Sequence, residues 1–107
     1  MEIPNLRTGL SECVNDLNKI LNNIDDAAQQ DKILRLIRVY TTLWDEVIRQ
    51  DILNNTPKYE KALDKLKKAE AATKQALEDM AEVATAIKRA ASAAKAVAKV
   101  VGLLAGI

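Results

Sequence analysis

The sequence predicts an all-α protein, and three observations support this fold class. Apolar residues recur at spacings of three and four over most of the chain, which places them along one face of a helix. Helix-breaking residues are rare: the 107 residues include three Gly and two Pro, all near the chain ends or near residue 57. The core must be aliphatic, because the chain has one Trp, two Tyr and no Phe. We expect a single helical domain over residues 1–107.

The first predicted helix covers about residues 5–24, and the second about residues 27–54. The apolar stripe of the first helix consists of Leu6, Leu10, Cys13, Leu17, Ile20 and Ile24. At 100° per residue, this stripe centres near ~240° and the stripe of the second helix near ~60° on a common wheel. A continuous helix would therefore switch its apolar face, so we expect a break in which Asp25 or Asp26 caps the second helix.

The third predicted helix covers about residues 57–103. Thr56 suits its N-cap and Pro57 its first position. Its apolar stripe keeps spacings of three, four or seven from Tyr59 to Val101 and crosses no Gly or Pro. The pattern therefore predicts one uninterrupted helix, about 70 Å long at 1.5 Å per residue.

These helices allow two architectures. In an elongated antiparallel helical hairpin, the first two helices form one broken arm that runs along the whole third helix. In a three-helix coiled-coil bundle, they fold up and down against its first half. Residues 57–107 contain fifteen Ala and residues 1–56 only two, so bulky side chains of the arm would meet small ones, which favours the hairpin. The opposed apolar stripes count against it.

Composition excludes several functions. A net charge of +1 gives no field that attracts nucleic acid. The chain has no His and no Gly-rich phosphate loop, and its neighbouring carboxylates point apart on a helix, so we expect no enzyme, cofactor or metal site.

Cys13 is the single Cys and lies on an apolar stripe, which predicts a buried, inert thiol. No signal peptide or membrane span is visible, so we expect a cytoplasmic protein that is at most peripheral at a membrane.

The C-terminal segment carries a wide apolar face opposite a narrow basic stripe. The candidate partner or membrane face consists of Ile87, Ala91, Ala94, Val97, Ala98, Val101 and Leu104. The candidate basic stripe consists of Lys88, Arg89, Lys95 and Lys99. This pattern is typical of helices that lie on anionic membranes, and equally of helices buried in an oligomer. The small side chains favour burial against protein, because alanine buries little area in lipid.

Trp44 is a candidate anchor. Its place within the second stripe favours a core or inter-helix position, whereas the enrichment of Trp in interfaces favours a hot spot.

The sequence therefore predicts a non-catalytic helical interaction protein that forms a homo-oligomer or binds a helical partner through its alanine-rich C-terminal helix. One alternative is a membrane-active protein, toxin-like or a regulator, whose basic C-terminal helix docks on anionic bilayers. Another is the N-terminal helical module of a longer protein.

Overall fold

The computed structural model describes residues 6–50 and 57–102, and every regular element within them is helical. The elements are α1 (Leu6–Leu21), α2 (Ala27–Gln50), α3 (Pro57–Glu78), a 3₁₀ turn (Met80–Glu82) and α4 (Val83–Val101). The all-α prediction is confirmed. Pro57 begins α3 as predicted, whereas Thr56 and the predicted helix ends at 51–54 and 103 lie outside the described residues.

The four helices form two helical hairpins that pack into one bundle. Helix α1 packs against α2 and α3, and α4 packs against α3 and α2, so α1 and α4 lie diagonally across the core. Helices α1 and α3 run parallel: Leu6 N–H donates to Tyr59 Oη at 3.3 Å near the starts of both helices, and Thr73 meets Asp16 further along. Since each helix turns back within a hairpin, α2 and α4 run parallel too.

The prediction of one long third helix is wrong, because the helix ends at Glu78 and resumes at Val83. Asp79 adopts an extended conformation (φ −141°, ψ 102°), and its carboxylate accepts a hydrogen bond from the Ala81 N–H at 3.1 Å. This local bond competes with the helical pattern and caps the following 3₁₀ turn, which redirects the chain without Gly or Pro.

The elongated hairpin is wrong for the same reason. The molecule measures 40 × 32 × 18 Å, whereas an unbroken third helix alone would be about 70 Å long. The break divides the predicted third helix in two, so the bundle consists of four helices of 16 to 24 residues. The alanines of α4 then face α2 and α3 rather than the bulky side chains of α1.

The predicted break between the first two helices is confirmed as a reverse turn. Asp26 caps α2, since its Oδ1 accepts from the N–H groups of Ala28 at 2.8 Å and Gln29 at 3.1 Å. Gln30 Nε2 donates to the Ile24 carbonyl at 2.7 Å and holds the turn against the helix. The switch of apolar face reflects this reversal, because each helix turns its own stripe toward the shared core.

The core matches the predicted stripe of α1. Leu6, Leu10, Cys13, Leu17, Ile20 and Ile24 are all buried. Gly9 allows α1 to approach α3 closely: a Cβ atom at this position would lie 3.1 Å from Leu66 Cδ1.

Candidate functional site

The predicted partner or membrane face of α4 lies mostly inside the protein. Ala94, Val97, Ala98 and Val101 are buried in the chain's own core. Ile87 and Ala91 are half-buried, and Leu104 lies outside the described residues. In this fold, an external partner or a bilayer can reach the four buried residues only if the bundle opens.

A buried polar contact attaches α4 to α2. The Tyr40 hydroxyl donates a hydrogen bond to the Ala90 carbonyl at 2.7 Å, and the Cys13 thiol of α1 lies beside it. Burial, reinforced by the charges of Glu70 and Asp16, raises the pKa of Cys13 to about 12. Burial also raises the pKa of Tyr40 above its usual range. Both groups stay protonated at neutral pH, and the predicted buried thiol is confirmed.

A polar seam joins α1 to α3. Asp16 is 5% exposed, and its Oδ2 lies 3.0 Å from Thr73 Oγ1 and 3.7 Å from Lys74 Nζ. Lys74 also pairs with Glu12 at 3.6 Å. Burial raises the pKa of Glu70, although Lys74 opposes the shift. Burial alone would lower the pKa of Lys74, but Asp16, Glu12 and Glu70 raise it above its ordinary value. This seam stabilises the parallel pairing of α1 and α3.

The predicted basic stripe is exposed along its whole length. Lys88, Arg89, Lys95 and Lys99 all face solvent. The structure divides them, because Lys95 and Lys99 border a surface cavity between α3 and α4, whereas Lys88 and Arg89 do not.

The cavity between α3 and α4, called the lysine groove below, has a volume of about 420 Å³. It is lined by Lys58, Lys61, Lys65, Ser92, Lys95, Ala96 and Lys99. The three α3 lysines were not among the predicted site residues. Their spacings of three and four were visible in the sequence, but only the chain reversal at Asp79 places them opposite α4.

Trp44 lies at the surface rather than in the core. Its side chain is 40% exposed, and the same helix exposes Leu34 to 43% and Ile48 to 42%. With half-buried Ile37 and exposed Thr41, these residues form a line with spacings of 3, 4, 3 and 4, called the outer stripe of α2 below. It runs beside a buried stripe of the same spacing, which consists of Ile33, Leu36, Tyr40, Leu43 and Val47.

The described residues contain no group of three or more His, Cys, Asp or Glu side chains arranged to hold a metal ion. Within the same residues, no helix combines the length and apolar content that crossing a bilayer requires.

The chain matches no protein family, no curated protein and no solved structure with which it was compared. Its function is therefore inferred from the geometry of the molecule alone.

Proposed function

We propose that this protein is a non-catalytic helical interaction protein and that it self-associates through the outer stripe of α2. The observation that carries the proposal is the exposure of Leu34, Trp44 and Ile48, each at 40% or more, on one line of one helix. Single exposed apolar residues are common, whereas large ones aligned at heptad spacing are typical of a helix–helix contact.

The outer stripe replaces α4 as the proposed interaction surface. Four of the seven residues of the predicted α4 face are already buried within the chain, so the proposal does not need them. Trp44 suits an interface, because Trp combines a large apolar area with few rotatable bonds.

The order of residues in the outer stripe suits two copies of α2 that run antiparallel. About Thr41 as centre, Leu34 would face Ile48 of the second copy, and Ile37 would lie within one residue of the level of Trp44. This arrangement is isologous, since the same patch serves both copies.

The flanking charges support the antiparallel direction. Arg38 and Asp45 follow Ile37 and Trp44 along the same edge of the stripe, and Arg38 forms no ion pair with any described residue. An antiparallel pair would place Arg38 of each copy near Asp45 of the other, which pairs with the exposed Arg49 of its own helix at 3.3 Å. In a parallel pair, Arg38 of one copy would lie on the opposite side of the contact from Asp45 of the other, so no such ion pair would form.

The proposed dimer is a weak one. From Leu34 to Ile48 the stripe is about 21 Å long, which is short for an interface of standard size. We therefore expect a dissociation constant in the micromolar range, which corresponds to a binding free energy of about −8 kcal/mol. The dimer should then dissociate on dilution through that range.

Sedimentation equilibrium over a range of concentrations tests this proposal. The parent chain should shift from monomer to dimer, whereas Trp44→Glu should stay monomeric, since association would bury an unpaired charge. We expect the dissociation constant to rise about a hundredfold or more. Thr42→Glu is the matched control, because Thr42 is also exposed on α2 but lies off the stripe. A monomeric parent chain, or equal effects of both substitutions, would overturn the proposal.

Docking on anionic bilayers is a second candidate function, set in the cytoplasm at a membrane surface. It is favoured by the exposure of Lys88, Arg89, Lys95 and Lys99 on a helix that has no acidic residue from Val83 to Val101. Co-sedimentation with anionic and with neutral vesicles tests it. Binding should require anionic lipid, decrease with salt and be lost in a Lys88→Glu, Arg89→Glu variant. Failure to sediment with anionic vesicles would remove this candidate.

A further inference from the structure

The lysine groove concentrates positive charge from two helices in one concave site. Lys58, Lys61 and Lys65 follow each other at spacings of three and four on α3, and Ser92, Lys95 and Lys99 do so on α4. Such spacings place side chains in line on a helix. The antiparallel hairpin brings the two lines together, and Lys65 Nζ donates to Ser92 Oγ at 3.1 Å where they meet.

No described carboxylate neutralises this charge. None of the five groove lysines forms an ion pair with a residue that the structure describes, whereas Lys68 pairs with Asp64 at 3.3 Å and Lys74 with Glu12 at 3.6 Å. The α4 wall has no acidic residue at all.

The acidic residues of the α3 wall point away from the groove. On a wheel of 100° per residue, Glu60 lies about 130° and Asp64 about 90° from the mean direction of the three groove lysines. Asp64 is also occupied by Lys68. Five like charges therefore line one cavity, and a bound polyanion would reduce the repulsion between them.

We propose that the lysine groove binds a compact ligand that carries several adjacent phosphate groups. Its volume of about 420 Å³ falls within the range of small-ligand sites. From Lys58 to Lys65 the groove extends about 10 Å, which suits a chain of two or three phosphates better than a single one.

The residue types suit phosphate. Lysine is a flexible point charge and can adjust to phosphates at several positions, whereas arginine favours one planar, bidentate partner. The Ser92 hydroxyl accepts from Lys65, so its own proton is free for donation to a phosphate oxygen. A concave site also distinguishes clustered phosphates from single charges spread over a flat bilayer.

Calorimetric titration of the intact chain with inorganic tripolyphosphate and with inorganic phosphate tests the site. We expect tripolyphosphate to bind about tenfold more tightly or better, and its affinity to decrease with salt. If the two anions bind equally weakly, the proposal is wrong.

Two charge-matched double variants test where the ligand binds. Lys61→Gln, Lys95→Gln removes one exposed lysine from each wall of the groove and should weaken tripolyphosphate binding about tenfold. Lys67→Gln, Lys88→Gln removes two exposed lysines from the same helices outside the groove and should change the affinity less than about twofold. Equal losses in both variants would show that net charge alone attracts the anion, and would overturn the proposal.

Vesicles then identify the source of the phosphates. One set contains a lipid with a bisphosphorylated inositol headgroup, and a second set contains enough phosphatidylserine to match its charge. Groove-dependent binding to the first set alone assigns the site to a phospholipid headgroup. Groove-dependent binding of tripolyphosphate without vesicle binding assigns it to a soluble polyphosphate compound. Equal binding to both vesicle sets, unaffected by Lys61→Gln, Lys95→Gln, would count against a site for clustered phosphates.

Discussion

The side chains where α1, α2 and α4 meet show how single residues constrain this bundle. Cys13 and the Tyr40 hydroxyl lie together in a core that is otherwise mostly aliphatic. The Tyr40 hydroxyl donates its proton to the Ala90 carbonyl. Because this hydrogen bond replaces one to water, the hydroxyl costs little free energy to bury. Sequence periodicity placed Cys13 on an apolar stripe, but the hydrogen bond between α2 and α4 could not be read from spacing.

The raised pKa of Cys13 predicts a loss of stability in alkali. Its usual pKa of 9.0 rises to about 12 in the fold, so above pH 9 the unfolded chain gives up the thiol proton first. The free energy of unfolding should then fall by about 1.4 kcal/mol per pH unit from this group. Tyr40 acts in the same direction at still higher pH.

Urea unfolding at pH values from about 8 to about 10 measures this effect. The parent chain should lose more stability over that range than Cys13→Ala, which lacks the group and supplies the control. Equal pH dependence in the two chains would contradict the assigned environment of Cys13.

Removal of the Tyr40 hydroxyl should destabilise the protein. Tyr40→Phe keeps the packed ring but deletes the 2.7 Å hydrogen bond to the Ala90 carbonyl. We expect a loss of about 1 kcal/mol in the free energy of unfolding, with unchanged helix content. A more stable variant would mean that this contact does not hold α4 against α2.

At the scale of elements, the sequence predicted that the chain is helical, but it located only some of the helix ends. The turn before α2 was visible because an apolar stripe changed sides and Asp26 stood at a suitable N-cap position. The break at Asp79 was missed because the spacing continues across it. The chain changes direction there, and a hydrogen bond from the Ala81 N–H to the Asp79 carboxylate accompanies the change. The spacing of apolar residues gives no sign of it.

Periodicity within single helices also explains which candidate site residues could be identified from the sequence. The basic stripe of α4 could be read from one helix, and Lys95 and Lys99 were found in this way. The α3 wall of the lysine groove required the register between two helices, which depends on the position of the break. Trp44 fitted a broad apolar stripe, and the packing of α2 decided which part of it is buried.

The cap of α2 offers a matched pair of substitutions. Asp26→Ala removes the acceptor for the Ala28 and Gln29 N–H groups and should lower the free energy of unfolding by about 1 kcal/mol. Asp25→Ala removes an equally charged, exposed neighbour for which the structure shows no such bond. Denaturant titration compares them, and equal losses would show that charge rather than capping matters.

At the scale of the whole molecule, the bundle buries most of the described apolar face of α4 and exposes a line of residues on α2 that includes Leu34, Trp44 and Ile48. The alanine-rich C-terminal helix suits close packing between two neighbouring helices. The Lys74 side chain of α3 lies near the carboxylates of Glu12 and Asp16 of α1. The surface then presents two distinct features, the outer stripe of α2 and the lysine groove.

Disulfide formation at the centre of the outer stripe tests the proposed self-association most directly. Thr41 and Thr42 are neighbours, both are exposed, and both donate to the carbonyl four residues earlier, at 2.8 and 3.0 Å. Only Thr41 lies at the proposed two-fold centre, where the two helices approach closely enough for a disulfide.

We predict that Thr41→Cys forms a covalent dimer under mild oxidation and that Thr42→Cys does so only at background level. The parent chain defines the background, because its one thiol, Cys13, is buried. If Thr42→Cys crosslinks as well as Thr41→Cys, or if neither exceeds the parent chain, the two copies do not meet along the outer stripe.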